Sequence, residues 1–186
     1  LKPVVVLAVF CTAFASAAPG GWLDNAPEPW NRPGGRVPVP PKDAQRRKPP
    51  AYCKSSQRPP NSPEEKLVAR AGWQVFASSQ DGKGITVVGA AAALDGMCRP
   101  DPYQDFVFVE GVFAGTLAPE PMRARSDGSS NRISFPGLGQ IEADFSRYKE
   151  SDPLCCPSRI TVATFEIRKP SGKPVVHLVS AKTRPA

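Results

Sequence analysis

The sequence holds 17 carboxylates, one imidazole and five thiols, and few of them stand in a pattern that could do chemistry. Asp101, Asp105, Glu142 and Asp144 are the residue type needed for glycoside hydrolysis, in which two carboxyl groups flank the bond that breaks. Glu142 and Asp144 stand two apart in an alternating run, so in a strand their side chains share a face about 7 Å apart. That same alternation makes their face the solvent side, which leaves carboxylate-dependent hydrolysis as an alternative rather than the leading expectation. His177 is the single histidine. It stands between Val176 and Leu178 and shares a face with Val175 and Val179, which reads as a structural or edge histidine and not a general base for a nucleophile. No serine lies in G-x-S-x-G. Asp81-Gly82-Lys83-Gly84 lacks phosphate-loop spacing, and Asp127-Gly128-Ser129-Ser130-Asn131 does not fit the calcium-loop pattern. A protein without catalysis, cofactor or metal is therefore expected.

The thiols depend on compartment. Lys2, the apolar run 4–14 and Ala15-Ser16-Ala17 before Ala18-Pro19 form the charged, apolar and small-residue regions of a secretory signal, with cleavage expected after Ala17. Whether Leu1 is the true start stays open. Phe10 before Cys11 departs from the small residues that bacterial lipid attachment uses, so a lipid anchor is not the expectation. Cleavage removes Cys11 and leaves Cys53, Cys98, Cys155 and Cys156, an even set for an oxidising compartment and expected as disulfides. Four cysteines allow three pairings. If residues 155 and 156 are extended, their side chains point to opposite faces, which favours separate bonds from Cys155 and Cys156 to Cys53 and Cys98.

The chain of 186 residues carries a formal charge of +7, and the excess is uneven. Residues 18–63 hold 8 basic and 3 acidic residues, whereas residues 64–186 hold 15 and 14. A nearly neutral domain lacks the basic face that phosphate neutralisation requires, so nucleic acid is not an expected partner. The basic stretch, densest at Arg46-Arg47-Lys48, suits an anionic wall polymer or lipid surface. Residues 19–63 also hold 12 prolines, which excludes helix interiors and central strands and predicts a largely extended or disordered spacer. Trp22, Leu23 and Trp30 interrupt that spacer as candidates for packing back onto the domain. No apolar run reaches the roughly 20 residues of a membrane-spanning helix.

The elements that must position these groups follow from residue 62 onward, giving a division into a signal (1–17), a proline-rich linker (18–61) and a disulfide-stabilised domain (62–186). Ser62-Pro63-Glu64-Glu65 is a capping box with a first-turn proline, predicting a helix over 63–71 with Leu67, Val68 and Ala71 on its packed face and Gly72 ending it. Strands are predicted at 73–79, 85–92, 103–109, 112–117, 133–135, 140–148, 160–168 and 175–182. Asp81-Gly82 and Glu110-Gly111 read as hairpin turns. The nearly unbroken apolar run 106–113 predicts a central hairpin, covered by the helix on one face and by the tail on the other. Short connections without βαβ spacing give an α+β fold, mainly antiparallel sheet with one N-terminal helix. The longest loop, 119–132, carries Met122, Arg123, Arg125 and Asp127 as a candidate binding loop, whose arginines suit a carboxylate or phosphate.

Three segments carry a resemblance: Cys98-Arg99-Pro100-Asp101, the run Phe106-Val107-Phe108-Val109-Glu110-Gly111-Val112-Phe113-Ala114-Gly115-Thr116, and Asp152-Pro153-Leu154-Cys155-Cys156-Pro157-Ser158. Over residues 64–186 the chain resembles the LppP/LprE family of bacterial envelope lipoproteins, with the Cys-Cys-Pro motif as its most specific part. The resemblance implies an exported bacterial envelope protein and brings no catalytic residues. The resulting expectation is a secreted, periplasmic or surface protein that binds an envelope component or has a structural role there. An inhibitor or accessory factor of a wall enzyme is the alternative.

Overall fold

The computed structural model describes residues 21–25, 29–45, 49–56, 58–81 and 83–186. The expected signal, Cys11 and the Arg46-Arg47-Lys48 cluster lie outside the described residues. The two α-helices of the described chain, the short α1 (Lys42–Gln45) and the capped α2 (Pro63–Arg70), precede the strands. Eight antiparallel strands follow: β1 (Gln74–Gln80), β2 (Ile85–Ala91), β3 (Tyr103–Val109), β4 (Val112–Thr116), β5 (Ser130–Ser134), β6 (Gln140–Arg147), β7 (Arg159–Arg168) and β8 (Val175–Pro185). They form two four-stranded meanders, β1-β2-β3-β4 and β5-β6-β7-β8.

Local chemistry sets the element ends. Ser62 Oγ accepts the Glu65 N–H, while the Glu65 carboxylate takes the N–H groups of Asn61 and Ser62 and a forked ion pair from Arg58. These donors, Arg58 foremost, hold Glu65 down to about 2, from an ordinary 4.5. Gly72 ends α2 at a φ of +103°, a conformation that costs glycine little. Asp81 shapes the first hairpin by accepting the N–H groups of Lys83 and Ile85. Glu110 and Gly111 both take positive φ, the two-residue turn whose twist matches the strands.

Periodicity then sorts the side chains. Every residue of β2 and β3 is buried, because the first sheet is covered on both faces. Val88, Ala90, Phe106 and Phe108 pack with Val68, Trp73 and Ala44 on the helix side. Ile85, Val87, Val107 and Val109 meet Ile141, Ala143, Phe145, Ala163 and Phe165 across the sandwich. The central pair is therefore β2–β3, with β4 at an edge, and the second sheet rather than the tail covers the other face. Leu67 leaves the predicted face and is 37% exposed, while Val68 is fully buried.

The described parts of the proline-rich stretch join extended segments to short helical turns at Gly21–Leu23, Lys42–Gln45 and Ala51–Ser56, and they lie on the domain as a strap. Leu23 and Cys53 enter the core between the sheets, and Ala44 enters the core under α2. Trp73 Nε1 donates to the Pro38 carbonyl at 2.7 Å. Prolines suit such a path because they fix the extended backbone without stranding N–H donors. The strap ends on a disulfide, Cys53 to Cys98, with Cα atoms 5.1 Å apart. The second disulfide joins Cys155 to Cys156, which corrects the expected cross-pairing. Residues 153–156 form a turn, with Cys156 N–H donating to the Pro153 carbonyl, so strand alternation does not separate the two thiols.

Candidate functional site

The strap runs past the free edge of β8 and leaves a pocket there of about 170 Å³. Trp22, Leu23, Asp24, Pro29, Trp30 and Asn31 form one wall, and residues 176–181 of β8 form the other. Trp22 stands edge-on to Trp30 at 5.4 Å and to Phe145 at 5.1 Å, the arrangement aromatic quadrupoles prefer. Trp30 Nε1 donates to the Thr116 carbonyl at 3.1 Å, so its ring is tied to β4.

Asn31 joins the two sheets. Its Nδ2 donates to the carbonyls of Thr116 and Val176 at 2.9 and 3.1 Å, and its Oδ1 accepts the Thr116 N–H at 2.9 Å. A side-chain amide thereby satisfies backbone groups on the edges of both β4 and β8, which otherwise face each other without a ladder. Gly115 makes room for it, since a Cβ there would collide with the Asn31 amide and its φ is +134°.

Asp24 anchors the other end of this segment. Its carboxylate takes a forked pair of hydrogen bonds from Arg147 at 2.9 and 2.6 Å. Arg147 is 4% exposed and also donates to Asp127 at 3.0 Å and to Thr161 Oγ1 at 3.2 Å. The Arg147 hydrogen bond lowers the Asp24 pKa below its ordinary value, against the cost of burial. The Asp24 hydrogen bond in turn raises that of Arg147. Asp24 is thus a neutralised carboxylate, and Trp22, Trp30, His177 and Ser180 give the pocket its contact chemistry. His177 is half-buried on β8 and lines the pocket.

The candidate binding loop is largely used to build the fold. Met122 is 7% exposed and exchanges backbone hydrogen bonds with Tyr103 at 2.8 and 2.7 Å. Asp127 holds Arg147 and the Tyr148 N–H. Arg125 is exposed with a positive φ, and Arg123 is 62% exposed with Nε 3.7 Å from Asp101 Oδ1. The loop is also shorter than expected, because β5 begins at Ser130.

The four carboxylates are dispersed. Asp101 stands in the β2–β3 connection near Arg123. Asp144, on the β6 face opposite Ile141 and Phe145, takes Arg132 Nε at 3.1 Å and is 8% exposed, and Glu142 shares that face. Asp105 lies between the sheets, where Ser130 Oγ donates to it at 2.6 Å and Tyr103 donates to the Ser130 carbonyl at 3.1 Å. Burial pushes Asp105 up to about 6, opposed by the Ser130 hydrogen bond. Burial, with the Asp105 charge second, raises Tyr103 as well. Among the described residues, no cluster of three or more His, Cys, Asp or Glu side chains could hold a metal ion.

Residues 86–169 match the LppP/LprE lipoprotein family. The matched stretch runs from β2 to the end of β7 and includes Cys98 and the Cys155-Cys156 turn. The strap and β8, which make the pocket, fall outside it. No curated protein and no solved structure matches the chain. Among the described residues, no helix is long and apolar enough to cross a membrane.

Sequence reasoning singled out Trp22 and Trp30 by their oddity in a spacer and His177 by its rarity. It missed Asp24 and Asn31, which look like ordinary linker residues until Arg147 and the two sheet edges are beside them.

Proposed function

We propose that the protein is an exported, non-catalytic component of the bacterial envelope that binds a small ligand group in the pocket between the strap and β8. The pocket itself carries this reading: two tryptophans and several hydrogen-bonding groups converge on one concavity, the usual composition of a binding site. The resemblance to LppP/LprE lipoproteins supports an envelope setting. An exported protein also accounts for cysteines used as disulfides. The basic segment around Arg46-Arg47-Lys48 adds a nonspecific attraction for anionic wall polymer or lipid, which salt screens.

Retention on isolated cell envelopes at low and high salt tests both parts. The full chain is expected to keep a salt-resistant fraction, and Ser180→Trp, which fills the pocket from β8, is expected to lose that fraction only. Identical salt-resistant retention of the two proteins would remove the pocket from the reading. Retention that does not change with salt would remove the basic segment.

A further inference from the structure

We infer that the pocket between the strap and β8 takes a single neutral pyranose ring, as the end or side branch of an envelope glycan; the inference rests on the pocket being the binding site. Size sets the first limit. An enclosed cavity of about 150 Å³ holds benzene, and this pocket, open on one side, offers about 170 Å³ for the inserted part of a ligand. That is room for one ring, with any longer part of the ligand left outside the pocket.

Charge sets the second limit. Among the described residues, no lysine or arginine lines the pocket, and the carboxylate that does, Asp24, is held in a fork by Arg147. An anionic ligand would find no cationic partner there. A cationic ligand would have to compete with a guanidinium 2.6 Å from the Asp24 carboxylate. A neutral ligand is what remains.

The lining chemistry sets the third limit. Trp22 and Trp30 offer apolar ring surface and His177 and Ser180 carry donors and acceptors for hydroxyl groups, while Asn31 is held on Thr116 and Val176. A pyranose has that same division, with C–H groups on its ring faces and hydroxyls around its rim. A purely apolar ring would leave the rim groups of the pocket unpaired, which costs affinity. The edge of β8 adds backbone groups that a hydroxyl can reach, because β8 is the last strand of its sheet.

The test is binding of glucose, mannose, galactose and N-acetylglucosamine to the full protein, followed by tryptophan fluorescence and saturation-transfer NMR. Glucuronate and a neutral dipeptide serve as comparison probes. At least one neutral pyranose is expected to saturate near about 1 mM, with the strongest transfer to its ring C–H protons. His177→Ala is expected to weaken that sugar about tenfold, and Ser180→Trp to abolish binding, each with an unchanged circular dichroism spectrum. Glucuronate should bind more weakly than glucose. Wall oligosaccharides and glycolipid micelles then separate the two sources of the sugar, and either source satisfies the inference. Dipeptide binding that Ser180→Trp abolishes, without sugar binding, would overturn the pyranose and leave the pocket as a site. If no probe binds in a way that Ser180→Trp blocks, the pyranose and the pocket reading both fall.

Discussion

Asp105 offers a quantitative check on how the sandwich is assembled. Its carboxyl sits 4% exposed between two apolar sheet faces, and burial raises its pKa from an ordinary 3.8 to about 6. A raised carboxyl pKa means that the folded state favours the protonated form, so its stability contribution is complete below about pH 3.8 and is lost as pH rises through about 6. Integrated over that window, the loss is about 3 kcal/mol at neutral pH. Asp105→Asn keeps the shape and a donor and removes the titration. Urea unfolding of both proteins between pH 3.5 and 7.5 reads the difference directly, because every other ionisable group cancels. The Asn variant should gain on the wild type by about 3 kcal/mol across the window and be the more stable protein at pH 7. A pH-independent difference, or a wild type that gains as pH rises, would refute the placement of Asp105 in the core.

Three further outcomes follow from particular contacts. Cys53→Ser should cost about 4 kcal/mol, since its disulfide closes a loop of 45 residues, whereas Cys155→Ser with Cys156→Ser should leave the Tm nearly unchanged because that bond closes no loop; thermal denaturation of both variants checks the pairing. Gly115→Ala should expel Asn31 and loosen the strap, seen as faster proteolytic cutting within residues 22–45 while the strands stay protected, and unchanged cutting would contradict the Asn31 bridge. Glu65→Gln should lower stability by about 3 kcal/mol above pH 4.5, the difference vanishing as pH falls toward about 2, because Glu65 is depressed from 4.5 to about 2 by Arg58 and the helix N-terminus. A constant difference over that range would count against the Arg58–Glu65 fork.

Local signals in the sequence carried most of the element list. Ser62, Pro63 and Glu65 announced α2, Glu110-Gly111 announced the β3–β4 turn, and the alternation of Ile141, Ala143 and Phe145 marked the buried face of β6. Each of these depends on neighbours within a few residues. What stayed hidden depends on distant partners. Two meanders of hairpins read the same whether they form one sheet or two facing sheets, and only the stacking of Val87 and Val107 on Ile141 and Phe165 decides it. Proline density implies a path without long helices or central strands, yet it says nothing of whether that path leaves the domain or of the short helical turns at Gly21–Leu23, Lys42–Gln45 and Ala51–Ser56. Leu23, Trp73 and Cys53 hold it there through contacts made far along the chain. The cysteine pairing eluded strand alternation because residues 155 and 156 lie in a turn. The candidate loop of Met122 and Asp127 looked available for binding, but Tyr103 and Arg147 already occupy those residues.

The most direct measurement is a ¹H–¹⁵N correlation spectrum of the full protein, recorded while solubilised envelope glycan is added. Both tryptophan indoles report on the pocket, as do the amides of residues 176–181. If the pocket is the binding site, the indole signals of Trp22 and Trp30 and those β8 amides shift together and saturate, while the amides around Arg123 and Arg125 stay in place. Shifts confined to that loop or to the Cys155-Cys156 turn, with the two indoles unmoved, would contradict the proposed site.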